Sequence, residues 1–320
     1  MKHQILADAT EKTARAIFLG GGTRTGTSMM ARLIYSLEKV ECFHEPAFLY
    51  AFFYMIDQMD EGPWKLLLES FVYEELLLSA LAGRRLNFNE NDESCVFHSR
   101  PRAEIADRLA RTHRHHELLP RASQYRLAFK MPETVPQLDT LRRYYPHMTF
   151  LVMLRRPESV IASLIQRGWY SEKQMRGTGG DWLFRTGSVE DMKIPAWVPD
   201  SLIEEFVAAS EADRCAMCYI EQYKYLVGRS DCIVADFDEL MHNPLPYFGA
   251  VTRALGEKFG PMTTQLLETV REPAKDRSIP IDDIAPERWR RMREIYESCR
   301  GLAVKADREA LQTVGGYAPA

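Results

Sequence analysis

The stretch GGTRTGTS at residues 21–28 constrains this chain more than any other. It follows the apolar run Ala16-Ile17-Phe18-Leu19 and precedes the helix-like MMARLIYSLEK, so it reads as strand, glycine loop, helix. That order makes a phosphate cradle: glycines let backbone N–H groups close on an anion, and the helix N-terminus adds a favourable dipole. Gly21 and Gly26 stand five apart before Thr27-Ser28, the frame of a nucleotide-triphosphate loop, but Thr27 stands where that loop carries its lysine. The nearest cation is Arg24, inside the loop. The expected ligand therefore bears phosphate and is handled differently from ATP.

Around the loop, three short β-rich apolar runs read as buried parallel strands, at 16–19, 148–154 and 232–235, with Arg126–Lys130 as a fourth. Helical spacing separates them at 27–39, 64–81, 133–145, 158–167 and 201–226. This alternation predicts an α/β fold, a three-layer α/β/α sandwich with a central mainly parallel sheet, P-loop nucleotide-binding-like. Residues 168–200 have no clean period but carry Trp169, Trp182 and Trp197, the composition of a lid or substrate loop. A second, polar loop is expected at 83–99. Residues 1–320 read as one domain, with a core over about 16–256 and a helical extension from 257 onward.

Bulk properties narrow the partners. With 41 basic against 45 acidic residues, there is no global basic field, and no nucleic-acid partner is expected. Apolar stretches are short or broken by charge, so no membrane span is expected. The opening residues lack a secretory pattern, and six cysteines in so long a chain suggest reduced thiols in the cytoplasm. Cys215 and Cys218 form CAMC within a helical pattern, which favours core packing over metal or redox chemistry. His113, His115 and His116, with Arg111 and Arg114, read as a solvated basic surface.

A second motif joins the loop. The strand ending at Leu154 runs into RRPESVIAS, placing Arg155 at its C-terminal edge and Ser163 eight residues later. Ligands gather at that edge of a parallel sheet, so both motifs can grip one ligand. Together they resemble the sulfotransferases that use 3′-phosphoadenosine 5′-phosphosulfate (PAPS). In that family a Lys/Arg-Ser-Gly-Thr-Thr/Ser loop holds the 5′-phosphosulfate, matched here by Arg24-Thr25-Gly26-Thr27-Ser28. Its Arg, Asp/Asn-Pro, Ser signature holds the 3′-phosphate, matched by Arg155, Pro157 and Ser163, with Arg156 departing where an acid or amide is usual. VADFDELMHNP is a softer match, with Phe237 where the family's aromatic lies near the adenine.

The resemblance implies sulfuryl transfer from PAPS, without a metal, to a hydroxyl or amine of a small-molecule or glycan acceptor. Gly22, Thr23, Arg24, Thr25, Gly26, Thr27, Ser28, Arg155, Ser163 and Phe237 would hold the nucleotide. Glu45, twenty-one residues after Arg24, matches the catalytic Glu of the branch containing protein-tyrosine, carbohydrate and bacterial enzymes; His44 is the runner-up. Lys130, in AFKMPE, resembles a Lys-x-Pro element beside the bridging oxygen. Phe48, Phe52, Trp169 and Trp182 are acceptor-pocket candidates. The Gly-x-x-Gly-x-x-Lys element of the cytosolic steroid and phenol branch is missing after Gly256, leaving Lys275, Arg277 and Arg290 as substitutes. The alternatives are a P-loop kinase or nucleotide hydrolase, with VADFD as its metal-binding strand, and a non-catalytic nucleotide-binding scaffold. The oligomeric state stays open, a homodimer included.

Overall fold

A computed structural model describes residues 7–110, 113–177, 184–271 and 281–305, without the side chains of 184–187. Seven strands occur among them: β1 (Ile17–Gly21), β2 (Val40–His44), β3 (Arg126–Lys130), β4 (Thr149–Leu154), β5 (Phe184–Val189), β6 (Met192–Pro195) and β7 (Ile233–Asp236). Five form one sheet in the order β2-β3-β1-β4-β7, with every neighbouring pair parallel.

The strand sequences explain why both sheet faces are covered. Side chains alternate across a strand, and here both sets are apolar. Phe18, Phe129 and Phe150 point to one face, where Phe18 meets each of the other two rings edge-on at 5.7 and 5.6 Å. Ile17, Leu19, Leu151 and Met153 point to the other, against Ala31, Ile34, Leu240 and Val251. Helices on both faces complete the three-layer, P-loop-like sandwich.

Several elements depart from the sequence pattern. The helix after the glycine loop, Thr27–Tyr35, stops short of residue 39, and β2 follows it unannounced. Glu41 hides that strand: it sits mid-run yet is 1% exposed, bound to the fully buried Arg108 at 3.0 Å and accepting from the Tyr35 hydroxyl at 2.9 Å. The 64–81 pattern is helix Glu61–Ser70 running through a π-helical turn, Phe71–Leu78, into Ser79–Leu81. The 133–145 pattern becomes a 3₁₀ turn, Val135–Gln137, and helix Leu138–Tyr144. The 201–226 pattern breaks before helix Glu211–Tyr223, because the Ser210 side chain caps it by accepting the Asp213 N–H at 3.1 Å. Part of the segment expected to be irregular forms the antiparallel β5–β6 hairpin.

The C-terminal helix Pro286–Gly301 sends Met292, Ile295, Tyr296 and Cys299 into the same core as Tyr219 and Tyr223. Among the described residues no helix is long and apolar enough to cross a membrane, and all six cysteines are free thiols.

Candidate active site

The C-terminal ends of the sheet strands open into a cleft of about 430 Å³. Each strand delivers a side chain through the residues that follow it: Thr23 and Arg24 after β1, Glu45 after β2, Glu133 after β3, Arg155 after β4 and Phe237 after β7. Lys130 closes β3 itself. This edge collects ligands because strand ends leave backbone groups and helix N-termini facing one crevice.

The two anion motifs meet there. Arg24, in the left-handed region at φ 65°, donates from Nε to Ser163 Oγ at 2.9 Å, while Arg155 Nη1 donates to the Arg24 carbonyl at 3.1 Å. Burial, then the charge of Arg167, lowers the Arg24 pKa. The Arg155 guanidinium lies 4.8 Å over the Phe237 ring. Phe237 also explains Gly26: at φ 91° a Cβ there would stand 2.1 Å from the ring, so only glycine lets the helix start against it.

Not every loop donor faces the cleft. The Gly22 N–H donates to the Tyr223 hydroxyl at 3.1 Å, and that hydroxyl donates to the Met153 carbonyl at 2.5 Å. The Thr25 hydroxyl turns back to the Gly22 carbonyl at 2.6 Å. One turn earlier, Tyr219 donates to the Arg155 carbonyl at 3.1 Å. Tyr219 and Tyr223 therefore brace both motifs from a single helix, a role with no local sequence signal beyond their four-residue spacing.

Beside the loop, Lys130 forms an ion pair with Glu45 and donates to Ser28 Oγ at 2.7 Å. Lys130 is buried and Glu45 is 40% exposed, so the pair points from core to cleft. Glu45 holds a φ of 45°, with its N–H on the Lys130 carbonyl at 3.1 Å. His44 ends β2, and its Nε2 is sealed from solvent without a hydrogen-bond partner among the described residues. Burial, reinforced by the Lys130 charge, pushes its pKa down to about 3. A further carboxylate went unread in the sequence: Glu133, at φ 61° and 7% exposed, accepts a hydrogen bond from the Thr23 hydroxyl. Burial, followed by the charges of Glu45 and Glu133, raises the Tyr50 pKa.

The acceptor-pocket candidates divide. Trp169 lines the cleft, whereas Phe48 and Phe52 do not: Phe48 packs on Phe71 at 4.7 Å, and Phe52 is buried against Trp64. Tyr50, on the same helix Ala47–Tyr54, faces the cleft instead. Tyr170 and Trp197 complete the wall, joined by Trp197 Nε1 donating to the Tyr170 hydroxyl at 3.1 Å. Trp182 lies outside the described residues, as do Lys275, Arg277 and Arg111.

Other candidates have local explanations. Asp236, in VADFD, caps the next helix by accepting the Asp238 and Glu239 N–H groups at 2.9 and 3.4 Å. Arg156 binds Asp238 through its N–H at 3.1 Å and its Nε at 3.2 Å, so a carboxylate from β7's helix stands beside the unusual arginine. Arg290 is exposed, at 3.8 Å from Glu294. Cys215 and Cys218 are buried in the helix interior. His115 is exposed beside Glu74 at 3.1 Å, but His113 is buried rather than solvated. Among the described residues, no group of three or more His, Cys, Asp or Glu is placed to hold a metal ion. At the opposite sheet edge an open hollow of about 720 Å³ has Lys12 donating to the Ser123 carbonyl at 2.7 Å, Lys39 to Gln124 at 2.9 Å and Arg126 paired with Glu257 at 2.8 Å.

The profile of the sulfotransferase family matches residues 16–261. A Caenorhabditis briggsae protein provisionally named a protein-tyrosine sulfotransferase is 31% identical over 153 residues, 47% of this chain and 43% of that protein. The match thus spans less than half of that relative's length. Among solved structures, the sulfotransferase domain of the Synechococcus PCC 7002 olefin synthase shares 13% identity, covers 95% of both chains and has a TM-score of 0.41. A Mycobacterium avium sulfotransferase shares 12% identity over 88% of this chain and 75% of that one, with a TM-score of 0.45. On the family match, which takes in all five strands of the parallel sheet, this chain belongs to the sulfotransferase family.

Proposed function

We propose that this chain transfers a sulfuryl group from PAPS to a hydroxyl or amine of a small-molecule or glycan acceptor, with Glu45 as general base. The observation that carries the reading is the chain Glu45–Lys130–Ser28, in which a carboxylate, a buried cation and the glycine loop meet at the cleft. The donor set fits a phosphosulfate: Arg24, Thr27, Ser28, Lys130 and Arg155 all line the cleft. PAPS supplies a sulfur that bonds to the acceptor atom as its bond to the bridging oxygen breaks, that electron pair staying on the departing phosphate.

The chain's own groups have the remaining work. Lys130 and Arg24 offset charge growing on the phosphate side, in a partly desolvated site where such donors act strongly. Glu45 takes the acceptor's proton. His44, neutral and sealed, is the poorer base. Arg155, beside Phe237, is assigned to the 3′-phosphate. No metal enters this scheme. The reading treats 1–320 as one domain and keeps the cytoplasmic assignment from the free thiols.

A kinase or hydrolase reading finds less support, since Thr27 replaces the lysine and Asp236 is spent as a cap. Thermal melting tests the choice. Near a hundredfold excess over Kd, 3′-phosphoadenosine 5′-phosphate (PAP) should stabilise the chain by about 2.7 kcal/mol. Stabilisation by ATP–magnesium and none by PAP rejects the proposal. Appearance of sulfated product from PAPS over an acceptor panel separates turnover from a non-catalytic scaffold.

A further inference from the structure

Strands β4 and β7 run parallel, with Leu151 opposite Ile233 and Leu154 opposite Asp236. Both chains then turn into helices, Pro157–Arg167 and Phe237–His242, and the backbone ladder ends. Side chains carry the register two residues further. The Arg155 guanidinium stands 4.8 Å over the Phe237 ring, and Arg156 binds Asp238. Successive side chains of an extended chain point to opposite sides, so the first pair lines the cleft and the second does not.

The outer pair has the geometry of a clamp. One Asp238 oxygen takes the Arg156 N–H at 3.1 Å and the other lies 3.2 Å from Arg156 Nε, so the carboxylate meets both the backbone and the side chain. Its own turn is well anchored. Asp236 accepts the Asp238 N–H at 2.9 Å, and the Asp236 N–H donates to the Tyr247 hydroxyl at 2.6 Å. On the β4 side the Arg155 carbonyl accepts from Tyr219 at 3.1 Å. Arg156 is 56% exposed and Asp238 25%, and ion pairs so open to water add little to the stability of a fold.

Resting on the PAPS reading above, we propose that Arg156 and Asp238 are positioning residues for the donor: their ion pair, outside the cleft, holds Arg155 against Phe237 where Arg155 takes the 3′-phosphate. Neither residue touches the nucleotide. Their opposite charges separate this role from a long-range pull on the phosphate. Losing the Arg156 cation weakens anion binding on either account. Losing the Asp238 anion tightens binding if charge alone matters, and weakens it if position matters.

Calorimetry with PAP and with adenosine 5′-phosphate, which lacks the 3′-phosphate, tests this on Arg156→Ala, Asp238→Ala and the double variant. Each single substitution should raise the PAP Kd about fivefold, the upper end for an exposed ion pair. The double variant should lose no more than Asp238→Ala alone, since one interaction is broken only once. Adenosine 5′-phosphate affinity and the nucleotide-free melting temperature should stay near those of the parent. PAP bound as tightly or more tightly by Asp238→Ala overturns the proposal, as do additive losses or equal losses for both nucleotides. A variant whose nucleotide-free form unfolds or melts far lower shows a support of the fold instead, and overturns it too. An unsubstituted protein that binds no PAP fails the donor reading itself, and this proposal with it.

Discussion

In the proposed function Glu45 and Arg155 carry separable tasks, so single substitutions should divide turnover from nucleotide binding. Glu45→Gln keeps a hydrogen-bonding side chain beside Lys130 but removes the base. Turnover should fall by about 10²–10⁴ with PAP affinity nearly unchanged, as read by steady-state kinetics and calorimetry. An active variant would move the role elsewhere. Arg155→Ala removes a guanidinium stacked on Phe237 and bonded to the Arg24 carbonyl. It should weaken PAP by more than tenfold, the scale of a lost charge-assisted contact, yet barely affect the analogue lacking the 3′-phosphate. At this scale much of the cleft was readable: Arg24, Lys130, Glu45 and Arg155 stand at fixed distances from strand ends, and strand ends converge. Glu133 was not readable, because its contact with Thr23 joins residues 110 apart and no motif marks it. Phe48 and Phe52 misdirect for a related reason. Composition marks their helix as aromatic, but only packing decides that Tyr50 turns toward the cleft.

The helix Glu211–Tyr223 is the element that sets the glycine loop and the Arg155 turn in register. Tyr223 links the Gly22 N–H to the Met153 carbonyl, and Tyr219 holds the Arg155 carbonyl one turn away. Tyr223→Phe leaves the ring and deletes both links, stranding a buried donor and a buried acceptor. The expected cost is about 1–3 kcal/mol in denaturant unfolding, with weaker PAP binding because the loop loses its brace. Unchanged stability and affinity would show that the loop holds itself. The parallel strands β1, β3, β4 and β7 were legible because burial on both faces writes continuous apolar runs. Strand β2 was not, since its buried Glu41 looks like a surface residue until Arg108 is placed against it. Removing one partner of so buried a pair is costly: Glu41→Ala should destabilise by about 3–5 kcal/mol, detectable as a large shift of the urea midpoint.

Across the whole molecule, His44 couples the cleft edge to the pH dependence of folding. In the unfolded chain its imidazole takes up a proton near 6.5, whereas in the folded chain burial and Lys130 delay this to about 3. Between those values the unfolded state binds more protons, so unfolding becomes easier as pH falls. The stabilising contribution is complete above 6.5 and declines on acidification toward 3. One such group contributes a slope of at most about 1.4 kcal/mol per pH unit. The groups whose charges act on His44 come from three directions: Lys130 and Arg32 oppose its protonation, and Asp92 favours it. Asp231, lowered from 3.8 to about 2 chiefly by its hydrogen bond from Arg229, acts only below about pH 5 and cannot mimic the effect between pH 7.5 and 5.5. Melting temperature should therefore drop between pH 7.5 and pH 5.5 by a few degrees, on the order of 1 kcal/mol. His44→Gln should flatten that drop while leaving the response below pH 3 intact. A variant with the same slope as the parent would show that His44 titrates alike in the folded and unfolded chain, and would reopen it as a proton carrier beside Glu45.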